Sequence, residues 1–242
     1  MKKAFVAGAF ALALAGAAWQ PALAADMAPA PVYTKAPPVI DTWSPWQLRV
    51  RALAVLPDAS GSTVNVSGVP ALSSPNSGLS IGDSVVPELD ISYFFTQNIA
   101  AELILGVTPH HITGTGALAG LDIGKTWLLP PTLTLQYHFT NFGAFQPYVG
   151  VGVNYTAFFS TSAANVANNN LAVTALSVSG AFGAAAQIGF DYMIDRHWGL
   201  NFDAKKLYLE PNYSATVNNA IAVSGRANIN PWLIGGGLTY RF

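Results

Sequence analysis

A chain of 242 residues with no cysteine, 10% charged and 51% hydrophobic residues holds no disulfide. It also has too little charge to coat a soluble globule, where the charged share is about 25%. Its formal net charge of -1 leaves no basic excess to neutralise phosphates, which argues against nucleic acid as a partner.

The chain starts with Lys2 and Lys3, an apolar run from Ala4 to about Trp19, and then Ala22, Leu23 and Ala24. A basic start, a short apolar middle and an Ala-x-Ala end are the parts of a secretory signal peptide, so residues 1–24 are read as a cleaved leader. The run is shorter than the roughly 20 residues of a spanning helix, and Gln20 and Pro21 end it. No later apolar run is long enough for such a helix, so a membrane-bound form must cross as strands. Residues 25–45 carry Pro29, Pro31, Pro37 and Pro38, which favour extended structure and remove sheet donors. This stretch is read as a proline-rich periplasmic segment, a tail or a plain leader, and residues 46–242 as the folded domain.

From Trp46 a period of two recurs, the spacing that puts one residue type on each face of a strand. The first strand, Trp46 to Leu56, sets Leu48, Val50, Ala52 and Ala54 against Arg49, Arg51, Leu53 and Val55. After a Ser, Gly, Asn and Pro-rich loop over residues 57–84, the second strand runs from Val85 to Thr96 and the third from Ile99 to Thr108, with Gln97 and Asn98 between them. A second long loop leads to a hairpin from Leu129 to Phe159. There Leu133, Leu135, Tyr137 and Phe139 alternate with Thr132, Thr134, Gln136 and His138, and Val149, Val151, Val153 and Tyr155 with Gly150, Gly152, Asn154 and Thr156. A third loop, over residues 160–178, precedes a sixth strand from Ser179 to Ile194, a turn at Asp195, Arg196 and His197, and a seventh strand from Trp198 to Glu210. The eighth, Asn228 to Phe242, follows a fourth loop over residues 211–227.

The reading is all-β: an eight-stranded antiparallel transmembrane β-barrel with four long external loops and short periplasmic turns. An even strand number, alternating long and short connections and both ends in the periplasm are the habits of outer-membrane barrels. A soluble barrel of lipocalin type would turn the charged series outward and fill its interior with the apolar one. The apolar series has many large residues per strand, while the opposite series is rich in Gly, Thr and Ser, which suits a narrow lumen. Aromatic residues gather at strand ends, as Trp46, Tyr93, Phe95, Tyr137, Phe139, Tyr192, Trp198, Tyr240 and Phe242, in the manner of an interfacial girdle. The protein is therefore expected in the outer membrane, multi-pass, against lipid and lipopolysaccharide, as a monomer.

On that reading Arg49, Arg51, Glu88, Asp90, Glu102, Gln136, His138, Asp191, Asp203, Lys205 and Arg241 form a polar network inside the lumen. Five acids meet four bases there and must pair. The network either locks the wall or lines a selective pore. No catalytic residue, metal site or cofactor is assigned. His138 has no Ser close in its own strand, His110 and His111 are read as a solvated loop without a carboxylate at ligand spacing, and His197 belongs to a turn. The glycines at 235 to 237 open no helix, so they carry no phosphate-binding meaning; they leave room for lumen side chains or permit bending.

Several spaced blocks resemble the OmpW family of small outer-membrane proteins. They are Pro87 through Thr96 (PELDISYFFT), Leu129 through Thr132 with Gln136 through Phe139, Pro147 through Tyr155 (PYVGVGVNY), Gly189 through Tyr192, and the ending Tyr240, Arg241 and Phe242. The resemblance covers roughly residues 46–242 and implies a barrel whose external half is a hydrophobic channel for small apolar molecules, with sideways exit into the membrane. Leu53, Val55, Ile104 and Leu207 are its expected lining, with Leu56 or Leu209 at the outer rim. Leu238, Tyr240 and Phe242 look like the signal read by the outer-membrane assembly machinery. The competing function is a structural or surface-receptor barrel that displays its loops without transport.

Overall fold

The computed structural model describes residues 44–242. The expected leader, and all but the last two residues of the proline-rich segment, lie outside the described residues. The strands in chain order are β1 (Trp46–Leu56), β2 (Asn65–Val66), β3 (Ser77–Ile81), β4 (Ser84–Phe94), β5 (Ile99–Gly106), β6 (Thr108–Gly116), β7 (Asp122–Leu129) and β8 (Thr132–His138). They continue as β9 (Phe145–Ala163), β10 (Val173–Val178), β11 (Ala181–Met193), β12 (Trp198–Tyr208), β13 (Asn212–Val217), β14 (Ile221–Arg226) and β15 (Trp232–Arg241).

Eight of them close on themselves in the order β1, β4, β5, β8, β9, β11, β12 and β15, every neighbouring pair antiparallel and β15 returning to β1. These are the eight expected strands, with ends shifted by a few residues. Closure satisfies backbone donors and acceptors between strands and leaves no open edge, the condition for crossing a bilayer with β structure. The question left open by alternation is answered by burial. Val50, Leu103, Leu133, Leu135, Val149, Val151, Ile188 and Leu238 face outward, while Arg49, Glu102, Thr134, His138, Asp191 and Lys205 are enclosed. The apolar side of each strand therefore meets lipid, the reverse of a soluble barrel.

The three short connections gather at the end that carries Trp46 and Phe242. Their aromatic girdle is packed edge to face, with ring centroids 4.9 Å apart for Trp46 and Tyr93, 5.0 Å for Tyr137 and Phe139, and 4.8 Å for Trp198 and Tyr240. In the last of these turns the Asp195 carboxylate accepts the amide N–H groups of Trp198 and His197, each at 2.7 Å. Those bonds hold its acid below the ordinary aspartate range.

The long connections differ from expectation. Read as loops, they are largely strand. One sheet combines β3, β6, β7 and the upper part of β9; the other has the order β10, β13, β14, β2. Together they enclose an apolar core that includes Val66, Leu79, Ile112, Ile123, Tyr213 and Val217. Each such strand has one dry face, as in β13, where Tyr213, Ala215 and Val217 are buried between the more exposed Asn212, Ser214 and Thr216. Asn, Ser and Gly on the wet face, and Asn residues with positive φ at 165, 169, 170, 218 and 219, gave these segments the composition of loops.

At the closing seam two inward positions of β15, between Leu233 and Thr239, are glycine. A Cβ at Gly235 would sit 3.4 Å from Leu53 Cδ1, so this glycine makes room for a lumen side chain. At Gly237 a Cβ would lie 2.0 Å from the Val50 carbonyl oxygen, and the β1 backbone cannot yield without opening the ladder. Gly237→Ala is expected to destabilise the barrel by about 1–3 kcal/mol, the usual cost of overpacking. A lowered urea midpoint for the heat-modifiable folded band would show it, and an unchanged midpoint would refute it.

Candidate functional site

The lumen is layered along its axis because inward residues on each strand change character together. On β1 the inward series from the short-turn end is Gln47, Arg49, Arg51, Leu53 and Val55, all buried. The neighbouring strands match it, with acids and amides beside the arginines and aliphatic side chains above.

At the short-turn mouth the Arg241 guanidinium donates to Gln47 Oε1 at 2.7 and 3.0 Å and to Gln146 at 3.3 Å, and covers the Phe94 ring at 4.9 Å. One layer up, Arg49 holds Asp191 through two parallel bonds of 3.1 and 2.7 Å, and also reaches Glu102 and Ser92. This fork geometry is what guanidinium offers a carboxylate. In the next layer Arg51 meets Glu88 at 3.2 Å, Asp90 at 2.6 Å and Asp203 at 3.5 Å, and Lys205 Nζ lies 2.5 Å from Asp203 and 3.5 Å from Glu88. Gln187 ties the layers together by donating to Glu102 at 3.0 Å and Asp203 at 2.7 Å. Gln136 donates to Gln187 at 3.1 Å, and His138 Nε2 sits 2.9 Å from Gln136 Oε1.

All eleven residues expected in the polar network thus lie on the lumen side, and each of the five acids has a basic partner. Arg241 donates to the amides of Gln47 and Gln146, whereas the other three bases meet carboxylates. Ser92, Gln187 and Asn201 join the network without having been assigned to it from the sequence, as do Tyr148 and Gln47. Tyr148, fully buried, donates to Asp203 at 2.9 Å and lies under the Arg49 guanidinium; Gln47 donates to Asp191 at 3.1 Å. Both continue a visible period of two, Gln47 before Arg49 and Arg51, and Tyr148 before Gly150, Gly152 and Asn154.

Above the ions the wall turns apolar. Leu53, Val55, Val86, Ala185, Leu207 and Leu233 form one buried cluster. Leu53, Val55, Ile104 and Leu207, the four expected lining residues, all border a narrow cavity of about 40 Å³ with Glu88 in its wall. Leu209 borders it too, whereas Leu56 faces outward, which excludes Leu56 from the rim. That cavity shares His110, Leu128 and Ile229 with a second one above it. The second shares Leu79, Ile123 and Tyr213 with a third inside the two-sheet extension. The three small cavities share these walls, so a column of apolar side chains extends from the ion network into the two-sheet extension.

His110 and His111 are not a solvated loop. They lie on β6 and point to opposite sides: His110 is buried in the column wall, while His111 is exposed with Asp122 Oδ1 2.7 Å from its Nε2. The strand pairing of β6 with β7 supplies this carboxylate, invisible to spacing along the chain. Burial holds the His110 imidazole below its ordinary pKa, against the opposing pull of the Gly82 carbonyl and Asp83. Among the described residues no group of three or more potential ligands is placed to hold a metal ion. Leu238 and Phe242 face outward with Tyr240 partly exposed between them, at the end where the Phe242 amide donates to Trp46 O at 3.2 Å.

A sequence profile described as OmpW family matches residues 45–242. An uncharacterized outer-membrane protein, y4mB, of Sinorhizobium fredii is 52% identical over 221 residues, covering 91% of this chain and 90% of the relative. The dibenzothiophene metabolism operon protein PahQ of Pseudomonas aeruginosa is 30% identical over 205 residues, 84% of this chain and 91% of its own length. Among solved structures the crystal structure of the outer membrane protein OprG from Pseudomonas aeruginosa superposes with a TM-score of 0.72 at 25% identity, covering 83% of this chain and 97% of OprG. Closed barrel, lipid-facing apolar surface, polar lumen and these relatives agree: the chain is an integral outer-membrane protein and belongs to the OmpW family.

Proposed function

We propose that the barrel is a passive route by which small hydrophobic molecules cross the outer leaflet, entering from the external end and leaving sideways above the ion network. The observation that carries this reading is the apolar wall shared by three small cavities, which ends below at paired buried charges. An apolar solute gains by leaving water along such a wall, at about 25 cal/mol per Å² of apolar surface. A hydrated ion meets fixed, mutually satisfied charges at its foot. The ion network is here a floor that holds the wall and stops polar traffic, with the bases and acids named above as its members.

The upper sheets hold a seam without a ladder, at the level of the external extension. Above Thr156, β9 pairs only with β7, while β10 pairs with β13, and no strand ladder joins β9 to β10 among the described residues. Phe158 on one side of this seam, with Leu176 and Val178 on the other, lines the middle cavity. The printed name of PahQ ties that relative to the metabolism of a sulfur heterocycle of low polarity, in keeping with the same class of cargo.

Full-length protein reconstituted into vesicles with a lipopolysaccharide outer leaflet is expected to speed entry of a hydrophobic fluorescent probe several-fold over empty vesicles while adding no steady ion conductance in planar bilayers. Absence of probe flux would overturn the proposal in favour of a barrel that only displays its external sheets.

A further inference from the structure

The polar side chains lining the column are His110, a few threonines, Tyr213, and Glu88 at its foot. His110 stands in the wall shared by the lower and middle cavities and is only 5% exposed. Its Nδ1 lies 2.8 Å from the Gly82 carbonyl oxygen. A carbonyl only accepts, so Nδ1 carries the proton and the neutral ring presents Nε2 as a lone-pair acceptor. Nε2 has no hydrogen-bond partner among the described residues. Directly across the ladder, Thr126 bonds Thr161 at 2.8 Å, so those hydroxyls satisfy each other. An acceptor without a protein partner is one that a donor on a passing molecule would satisfy.

We propose that His110 Nε2 is a binding subsite for apolar molecules that carry one hydrogen-bond donor, such as a phenolic or alcoholic hydroxyl or a ring N–H. The inference rests on the channel reading above. A donor-bearing solute loses its water on entering the column and regains one bond at His110. A donor-free solute of the same size has only the apolar wall. The site therefore ranks solutes by one functional group, independent of their bulk hydrophobicity.

The test uses the full chain in lipid nanodiscs with 15N-labelled histidine, and three probes: naphthalene, 2-methoxynaphthalene and 2-naphthol, each corrected for partition into empty nanodiscs. We expect 2-naphthol to bind about three- to tenfold more tightly than 2-methoxynaphthalene, the span of one neutral hydrogen bond, and to move the His110 Nε2 resonance, which the donor-free probes leave in place. His110→Leu is expected to abolish the advantage while naphthalene binding stays within about twofold. An unchanged ratio in His110→Leu, or saturation by 2-naphthol without a shift of Nε2, overturns the inference; the resonance in the unaltered chain decides the matter even where the variant fails to fold. Binding of naphthalene with no preference for the naphthol sinks this subsite alone, and failure of all three probes to bind sinks the channel reading with it.

Discussion

Arg49→Met is expected to destabilise the folded barrel by about 3–5 kcal/mol, the cost of breaking a buried charge pair from one side. The size follows from what Arg49 leaves behind. It is fully buried, it is the residue that grips Asp191 with two bonds, and it also pairs Glu102. Methionine fills much of the volume but strands two carboxylates in an enclosed lumen. Gln47, Asn201 and Gln187 remain to donate to them, which softens the loss without replacing a cation. A urea titration followed by the heat-modifiable band reads the result, and a midpoint equal to the unaltered chain would contradict it. The triple variant Arg49→Met, Asp191→Asn, Glu102→Gln should recover part of the loss, because removing a whole buried network is milder than removing one member.

The second large effect is on transport. Leu53→Asp places an ionisable group in the collar formed with Val55, Leu207 and Leu233, one step above Arg51 on the same face of β1. That guanidinium and Lys205 are near enough in sequence register to compensate the new carboxylate, so folding is expected to survive. An apolar solute on the proposed route then meets a charge in the wall of the lower cavity. Probe flux through vesicles should fall at least about tenfold, equivalent to about 1.4 kcal/mol of added barrier. Leu53→Met, which conserves volume and polarity, should keep most of the flux. Equal flux through the aspartate and leucine proteins would refute a path past this collar.

The barrel was legible because lipid on one side and ions on the other write a strong contrast into every second residue. Arg49, Arg51, Asp90, Glu102, Asp191 and Lys205 stood out as a charged series inside strands that were otherwise apolar, and their shared enclosure follows from closure. The external sheets were hidden for the opposite reason. Their dry face is made of Val, Ile, Ala and Leu and their wet face of Asn, Ser and Thr, with Gly and positive-φ Asn turns, so the contrast is that of an ordinary polar loop. Pairs made across a ladder, such as His111 with Asp122, or between strands that are not neighbours, such as Tyr148 with Asp203, leave no spacing along the chain to find. His110 looked exposed because its neighbours Pro109 and His111 are polar or turn-forming, yet it occupies the inward position between Thr108 and Ile112.

The length of β9 has a consequence of scale. Nineteen residues at about 3.3 Å each make a strand of about 60 Å, which at a tilt of about 40° rises about 45–50 Å, against an apolar band of about 25 Å. Since β9 starts near the short-turn end, about 20 Å of it stands clear of the hydrocarbon on the outer side. The far end of the two-sheet extension is thereby lifted to the height of the sugar brush that coats lipopolysaccharide. That hydrated, ion-bridged layer, more than the hydrocarbon beneath it, is what turns apolar molecules away. On the proposed route an apolar molecule would enter the apolar interior of the extension at that height, above the hydrated layer.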